Sequence, residues 1–398
     1  MKKSIVLFLM FACLFIAASA EDTIKIKRPV FVSLQIADGF VTPTSNIVNG
    51  KTVMPHVTAL SFKYGRSASG DKWKDGYYGM PYWGIGFYKP FYSMRKDMGD
   101  PFSAYLFQGA ALKTFNSGLS LNYEVNLGMS FGWNSYDALD NPGFKALGSS
   151  VNVHVAGDLY YKKPLSENFD LNFGFNVTHF SNGARRTPNY GLNSVSPLVE
   201  LVYHIDGKKP SPHINGKKLQ PPLFEKRTAH DISFFVTDRT ISLDTDGDDP
   251  NGKYPGRHFK VAGFNYGYML HNVRRFKWGA GLDVLYDEGG GALFSGDLSE
   301  KTGKYMETVN LGNMPERISV GLSLRGELAM PGYAVFTHLG YDILHGNKDS
   351  KRLYQIYGIK VYLTDNLFSS FGVNSTHITR SRFLYINIGY TFYRYRKK

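Results

Sequence analysis

Apolar and polar residues alternate with a period of two along most of this chain, in segments of about ten residues separated by links rich in Gly, Asn and Pro. The last segment shows the pattern. Leu384, Ile386, Ile388, Tyr390 and Phe392 fall on one face of an extended strand, and Tyr385, Asn387, Gly389 and Thr391 fall on the other. Such alternation is strand geometry, because successive side chains point to opposite faces. A soluble β-sandwich would alternate too. The number of segments, their aromatic ends and the segment that closes the chain favour an all-β, antiparallel outer-membrane β-barrel. Strands are predicted over 30–37, 56–66, 77–92, 101–115, 119–133, 149–164, 168–182 and 194–205. A second set is predicted over 230–243, 258–271, 276–288, 317–330, 333–344, 353–364, 367–379 and 383–395. No helix is needed.

Loop lengths fit that topology. The links Asn116-Ser117-Gly118, Met330-Pro331-Gly332 and Thr364-Asp365-Asn366 read as short periplasmic turns, while 134–148, 244–257 and 289–316 read as long outer loops. The expected architecture is about 14–16 strands in one barrel, because the carboxyl half has no loop resembling a closing seam. Two tandem eight-stranded barrels are the alternative. The expected divisions are a signal peptide over 1–20, a first barrel half over 21–205, a polar Pro/Lys-rich linker over 206–228 and a second half over 229–398.

Composition sharpens this picture at three points. The opening MKKSIVLFLMFACLFIAASA has a basic start at Lys2 and Lys3, an apolar core and an Ala18-Ser19-Ala20 cleavage site, which is a secretory signal. The one Cys, Cys13, lies inside that segment, so no disulfide framework is expected in the exported protein. Lys and Arg number 46 against 33 Asp and Glu. In an exported barrel that basic balance suits anionic lipid or lipopolysaccharide rather than nucleic acid.

The chain also repeats itself. Leu165-Ser166-Glu167-Asn168 leads to Phe173-Gly174 and on to Thr178-His179, and Leu363-Thr364-Asp365-Asn366 leads to Phe371-Gly372 and on to Thr376-His377. This reads as an internal duplication. The second copy continues Ile378-Thr379-Arg380, without the Ser-Asn pair of the first, and is expected to be wall.

Candidate chemistry sits at the end of the strand 168–182, where Phe173, Phe175, Val177, His179 and Ser181 share one parity. The apolar members place that face toward lipid, with His179 and Ser181 outside the barrel at the outer rim. Residues 179–193, HFSNGARRTPNYGLN, resemble the PagL-type lipid A 3-O-deacylase family, also known as bacterial acyloxyacyl hydrolases, through an H-x-S-N motif followed by Pro-Asn-x-Gly. Trp73, Tyr82-Trp83-Gly84-Ile85-Gly86, Asn134-Ser135-Tyr136-Asp137, Asn141-Pro142 and Leu147-Gly148-Ser149 extend the resemblance over roughly residues 50–205.

The resemblance implies ester hydrolysis on lipid A with no cofactor and no metal. By position, Ser181 would be the nucleophile, His179 the general base and Asn182 the residue near the oxyanion. The family's third member is a glutamate where this chain has Asn193. An Asn carbonyl can fix the imidazole tautomer but supplies no charge to an imidazolium. Arg185 and Arg186 follow the motif and could grip lipid A phosphates. The acidic run Asp244-Thr245-Asp246-Gly247-Asp248-Asp249 departs from a calcium loop, with Pro255 at the bidentate position, and reads as surface. His204, His213, His230 and His258 show no zinc spacing. The competing function is a non-catalytic barrel, either a porin or transport channel or a structural surface protein, which a sixteen-stranded ring would have room for.

Overall fold

The computed structural model describes residues 28–42, 54–205, 213–214, 217–218, 220–241, 254, 256–302, 304–348, 350–377 and 380–395. The expected signal segment 1–20, most of 206–219 and the acidic run Asp244–Asp249 lie outside the described residues. Eight strands form a first closed barrel: β1 (Val30–Val41), β2 (His56–Ser67), β3 (Tyr82–Tyr92), β4 (Gly99–Thr114), β5 (Ser120–Trp133), β6 (Asn152–Pro164), β7 (Phe169–Ser181) and β8 (Leu192–His204). A second closed barrel comprises β9 (Arg227–Arg239), β10 (Phe259–Val273), β11 (Phe276–Asp287), β14 (Ile318–Met330), β15 (Tyr333–His345), β16 (Leu353–Tyr362), β17 (Leu367–His377) and β18 (Arg380–Tyr395).

The preference for one large ring is therefore corrected in favour of the tandem alternative. A single ring requires β8 to pair with β9, yet β8 turns back onto β1 in antiparallel register from Phe31↔His204 to Val41↔Ser194. Likewise β18 closes on β9 from Arg227↔Tyr395 to Phe235↔Asn387. Strand alternation carries no information about where a sheet closes; stagger and tilt decide that.

At the end where each barrel's first strand begins the links are short turns, apart from 68–81 in the first barrel. Phe115 and Leu119 bracket one turn, with Gly118 at φ 81°. In another, Pro331 fixes one φ and Gly332 supplies the positive one at 85°. The long links 134–151 and 288–317 lie at the opposite, outer ends. One of these, 288–317, holds a small hairpin of β12 (Leu293–Leu298) and β13 (Tyr305–Asn310), which the sequence reading treated as loop. Short helices at Trp73–Tyr77 and Arg95–Met98 also depart from the expectation of none. In the linker, His213–Ile214 pairs with Lys217–Lys218, and β9 begins at Arg227, two residues before the expected boundary.

The turn into the seventh strand repeats between the two barrels down to hydrogen bonds, with its donors at a constant offset of 198 residues (363 − 165 and 366 − 168). Leu165 N–H donates to Phe169 O at 2.9 Å and Leu363 N–H to Leu367 O at 2.8 Å. Ser166 Oγ accepts from the Phe169 amide at 3.1 Å, as Thr364 Oγ1 does from the Leu367 amide at 2.9 Å. Asn168 Nδ2 then donates to His204 O at 3.0 Å, and Asn366 Nδ2 to Thr391 O at 2.6 Å.

Both barrels are apolar outside and polar inside, the reverse of a soluble domain. In the first, Lys63 is 1% exposed and donates to Glu124 Oε1 at 2.6 Å, with Glu200 Oε1 at 3.1 Å and Asp158 Oδ2 at 3.8 Å. In the second, Lys360 lies 2.6 Å from both Asp231 and Glu327, Lys277 lies 3.0 Å from Glu327, and Arg325 lies 2.6 Å from Asp283. A cavity of about 20 Å³ among Arg325, Glu327, His338 and Lys360 has room for about one water. An eight-stranded barrel is just wide enough to be filled by its own side chains.

Candidate active site

The chain divides into two compact units: the first runs to Ser181 and takes in Tyr190–Pro222, and the second joins Asn182–Asn189 to Leu223 and beyond. Within the first unit, β7 delivers the candidate residues. Its outward residues Phe175 and Val177 are 60% and 51% exposed, and His179 and Ser181 continue the same parity to the outer rim. Residues two apart on a strand stand on one face about 7 Å apart at Cα, close enough for an imidazole to bridge. His179 Nε2 lies 2.9 Å from Ser181 Oγ. Across the ladder, His179 pairs directly with Asn193 of β8, and His179 Nδ1 lies 2.6 Å from Asn193 Oδ1. The three side chains named from the sequence thus form one hydrogen-bonded row on the outward wall.

The ring is held from both sides. Gly191 has φ 78°, and a Cβ there would stand 2.9 Å from His179 Cε1, so only glycine lets the loop backbone approach the imidazole. Its N–H donates to Ala146 O at 3.0 Å, which ties this loop to the outer loop 134–148. That outer loop is itself pinned: Asn141 Nδ2 donates to Asn134 O at 2.9 Å and to Asp97 O at 3.0 Å, and Phe144, Ala146 and Leu147 are fully buried. On the lumen side, Phe180 packs edge-on against Trp133, with ring centres 4.9 Å apart. The quoted motif residues therefore divide. Asn134–Asp137, Asn141 and Leu147 brace the rim near the row, whereas Trp73 and Tyr82–Gly86 lie at the end of the short turns.

In the second unit, Asn182 clasps its own loop. Its N–H donates to Asn189 Oδ1 at 3.0 Å, its Nδ2 donates to Arg186 O at 2.9 Å, and its Oδ1 accepts from the Arg186 amide at 3.3 Å. The Arg185 guanidinium is engaged by Asp238, with Nε 2.8 Å from Oδ1 and Nη2 3.3 Å from Oδ2. The Arg186 side chain is exposed. Gly191, Asn189 and Asn141 received no role from the sequence. The positive-φ position of Gly191 within Pro-Asn-x-Gly was the available signal. Among the described residues no cluster of three His, Cys, Asp or Glu side chains could hold a metal ion, and no helix is long and apolar enough to cross a membrane.

The fold and the outward Ser/His/Asn row define a β-barrel with hydrolase-like geometry on its wall. Over residues 231–395 the chain matches the family described as acyloxyacyl hydrolase, C-terminal domain, which supports a PagL-type family assignment. That match falls on the second barrel, while the motifs carrying the resemblance lie in the first. No curated protein matches the chain. Among solved structures, an outer-membrane channel from Pseudomonas putida F1 is similar at 8% identity and TM-score 0.21, covering 94% of this chain and 98% of its own. The siderophore receptor PirA from Acinetobacter baumannii is similar at 8% identity and TM-score 0.23, covering 93% and 74%. The β domain of the Bordetella autotransporter BrkA is similar at 9% identity and TM-score 0.22, covering 93% and 99%.

Proposed function

We propose that the chain is an outer-membrane esterase that removes an ester-linked acyl chain from lipid A in the outer leaflet. The observation that carries this reading is the bridge of His179 between Ser181 Oγ and Asn193 Oδ1 on the lipid-facing wall. With the Nδ1–H of His179 donated to Asn193, Nε2 is left as the acceptor for the Ser181 proton. Ser181 Oγ attacks the ester carbonyl carbon while His179 Nε2 takes that proton. The tetrahedral oxyanion collapses by breaking the bond to the sugar oxygen, which leaves as the alcohol with the proton from imidazolium. Water, deprotonated by the same Nε2, then releases the fatty acid and restores Ser181.

Asn182, the next residue in the chain after the nucleophile, is the residue proposed to donate to the oxyanion. The exposed Arg186 is the guanidinium proposed for a lipid A phosphate; Arg185 serves there only by exchanging Asp238 for phosphate. The filled lumens favour this reading over a porin or transport channel, since buried ion pairs occupy the path a solute would take. Lipid A from cells carrying the wild type should lose the mass of one acyl chain, and Ser181→Ala should abolish that loss. Unchanged lipid A in wild-type cells, or continued deacylation in Ser181→Ala cells, would sink the proposal.

A further inference from the structure

The outer wall of the first barrel is asymmetric near the rim. On β5, β6 and β7 the outward residues below the Ser/His row are apolar: Leu127, Met129 and Phe131, then Val155, then Phe175 and Val177. On β1 and β2 the same wall carries Asp38, His56 and Thr58. Asp38 stands between Ile36 and Phe40 on the outward face, with its side chain 59% exposed. An ionisable group facing lipid costs free energy that falls toward the interface, and one retained there asks for a partner.

The cluster is built rather than accidental. Cross-strand register sets Thr58 opposite Asp38 and His56 opposite Phe40. Thr58 Oγ1 donates to Asp38 Oδ1 at 2.5 Å, and His56 Nε2 lies 3.2 Å from Asp38 Oδ2. The His56 ring meets Phe40 edge-on, with centres 5.5 Å apart. It is not a second nucleophilic site, because the Thr58 hydrogen goes to the carboxylate and not to the imidazole. What it offers outward is a fixed carboxylate, which attracts hydrogen-bond donors and repels phosphate. Its strand runs beside the row: β1 pairs with β8, and Thr42, four residues on from Asp38, donates its N–H to Asn193 O at 2.8 Å.

We infer that Asp38, held by Thr58 and His56, is a headgroup subsite for a sugar hydroxyl of a glycolipid. The acyl chain of that lipid runs down the apolar wall of β5–β7 and its ester carbonyl reaches Ser181. This rests on the esterase reading above and adds the specificity that reading lacks: the headgroup must present a donor, not an anion, toward β1.

The test uses the full chain with Ser181→Ala, so that lipid binds without turnover. The probes are a diacylated glucosamine ester and its O-methylated analogue in detergent micelles, with affinity read by calorimetry and folding by heat-modifiable migration. Asp38→Asn should weaken the free-hydroxyl lipid about tenfold and leave the O-methylated lipid unchanged, the scale of one charged hydrogen bond. Thr58→Val, which frees the carboxylate to swing, should weaken the same lipid by less. Equal weakening of both lipids, or of neither, would overturn the inference. Fatty-acid release by the wild type is measured separately, so failure of the esterase reading is distinguished from failure of the subsite.

Discussion

The two barrels share strand number, topology and the turn into the seventh strand, and they part company where that strand ends. After Ser181 the first barrel inserts ten residues, 182–191, before β8 begins; after His377 the second leaves only 378–379 before β18. Thr379, two residues after His377 as Ser181 is after His179, lies outside the described residues. Their lumens differ as well: one lysine faces three carboxylates in the first, whereas lysines and an arginine match the carboxylates in the second. A duplicated wall tolerates either arrangement. The proposed chemistry goes with the loop that returns a glycine and an acceptor to the imidazole, which the wall alone does not supply.

The sharpest way to break this contrast is to remove the two equivalent histidines. His179→Ala should lower deacylation as far as Ser181→Ala does, by about 10³-fold or more, because such residues act as a unit. His377→Ala should leave the rate within about twofold. Comparable losses from both would mean that the second barrel takes part in the chemistry.

The lumens give the next largest effect. Lys63→Met leaves Glu124, Asp158 and Glu200 buried without their common cation, a loss of about 3–5 kcal/mol. Lys360→Met should cost less, because Lys277 still reaches Glu327. Urea unfolding of each variant in lipid vesicles measures the difference, and an equal loss would show that the lysine count does not matter.

Smaller again is Gly191→Ala, which drives a Cβ to 2.9 Å from His179 Cε1 and strains a positive φ. A displacement of this size in a catalytic group typically costs about 10²-fold in rate. The barrel should still show heat-modifiable migration, since the change sits in a rim loop. An unaltered rate would mean the imidazole is positioned without the glycine.

Much of this was legible in the sequence. Alternation located the principal strands, and the parity of Phe173, Phe175 and Val177 put His179 and Ser181 outside. Ring closure was not legible, because Phe31 pairs with His204 through stagger accumulated over eight strands rather than through anything local. The constant offset between Leu165 and Leu363 was the better guide, since a repeat that closes once can close twice. The hairpin of β12 and β13 was missed because a loop of Gly, Ser and charged residues hides a two-stranded ribbon with no core face. The Asp38 cluster escaped because Asp38 is on β1 and both its partners are on β2, and only cross-strand register brings them together.

The smallest expected effect tests the residue in which this chain departs from the family it resembles. Asn193 Oδ1 lies 2.6 Å from His179 Nδ1, so it fixes the ring and its tautomer without adding charge. Asn193→Ala removes that orientation and should slow deacylation by about ten- to a hundredfold, less than loss of His179 itself. Asn193→Asp keeps the oxygen in place and adds the charge, whereas Asn193→Glu adds the charge with one more methylene, which the Gly191 loop must absorb. Carboxylate support can matter by up to ~10⁴-fold in a serine protease. A site that already holds the tautomer through Asn193 keeps most of that benefit, so Asn193→Asp should raise the rate by about tenfold or less and Asn193→Glu by less still. Rates measured on one purified lipid A decide it: if Asn193→Asp is as slow as Asn193→Ala, Asn193 does not support His179 during turnover.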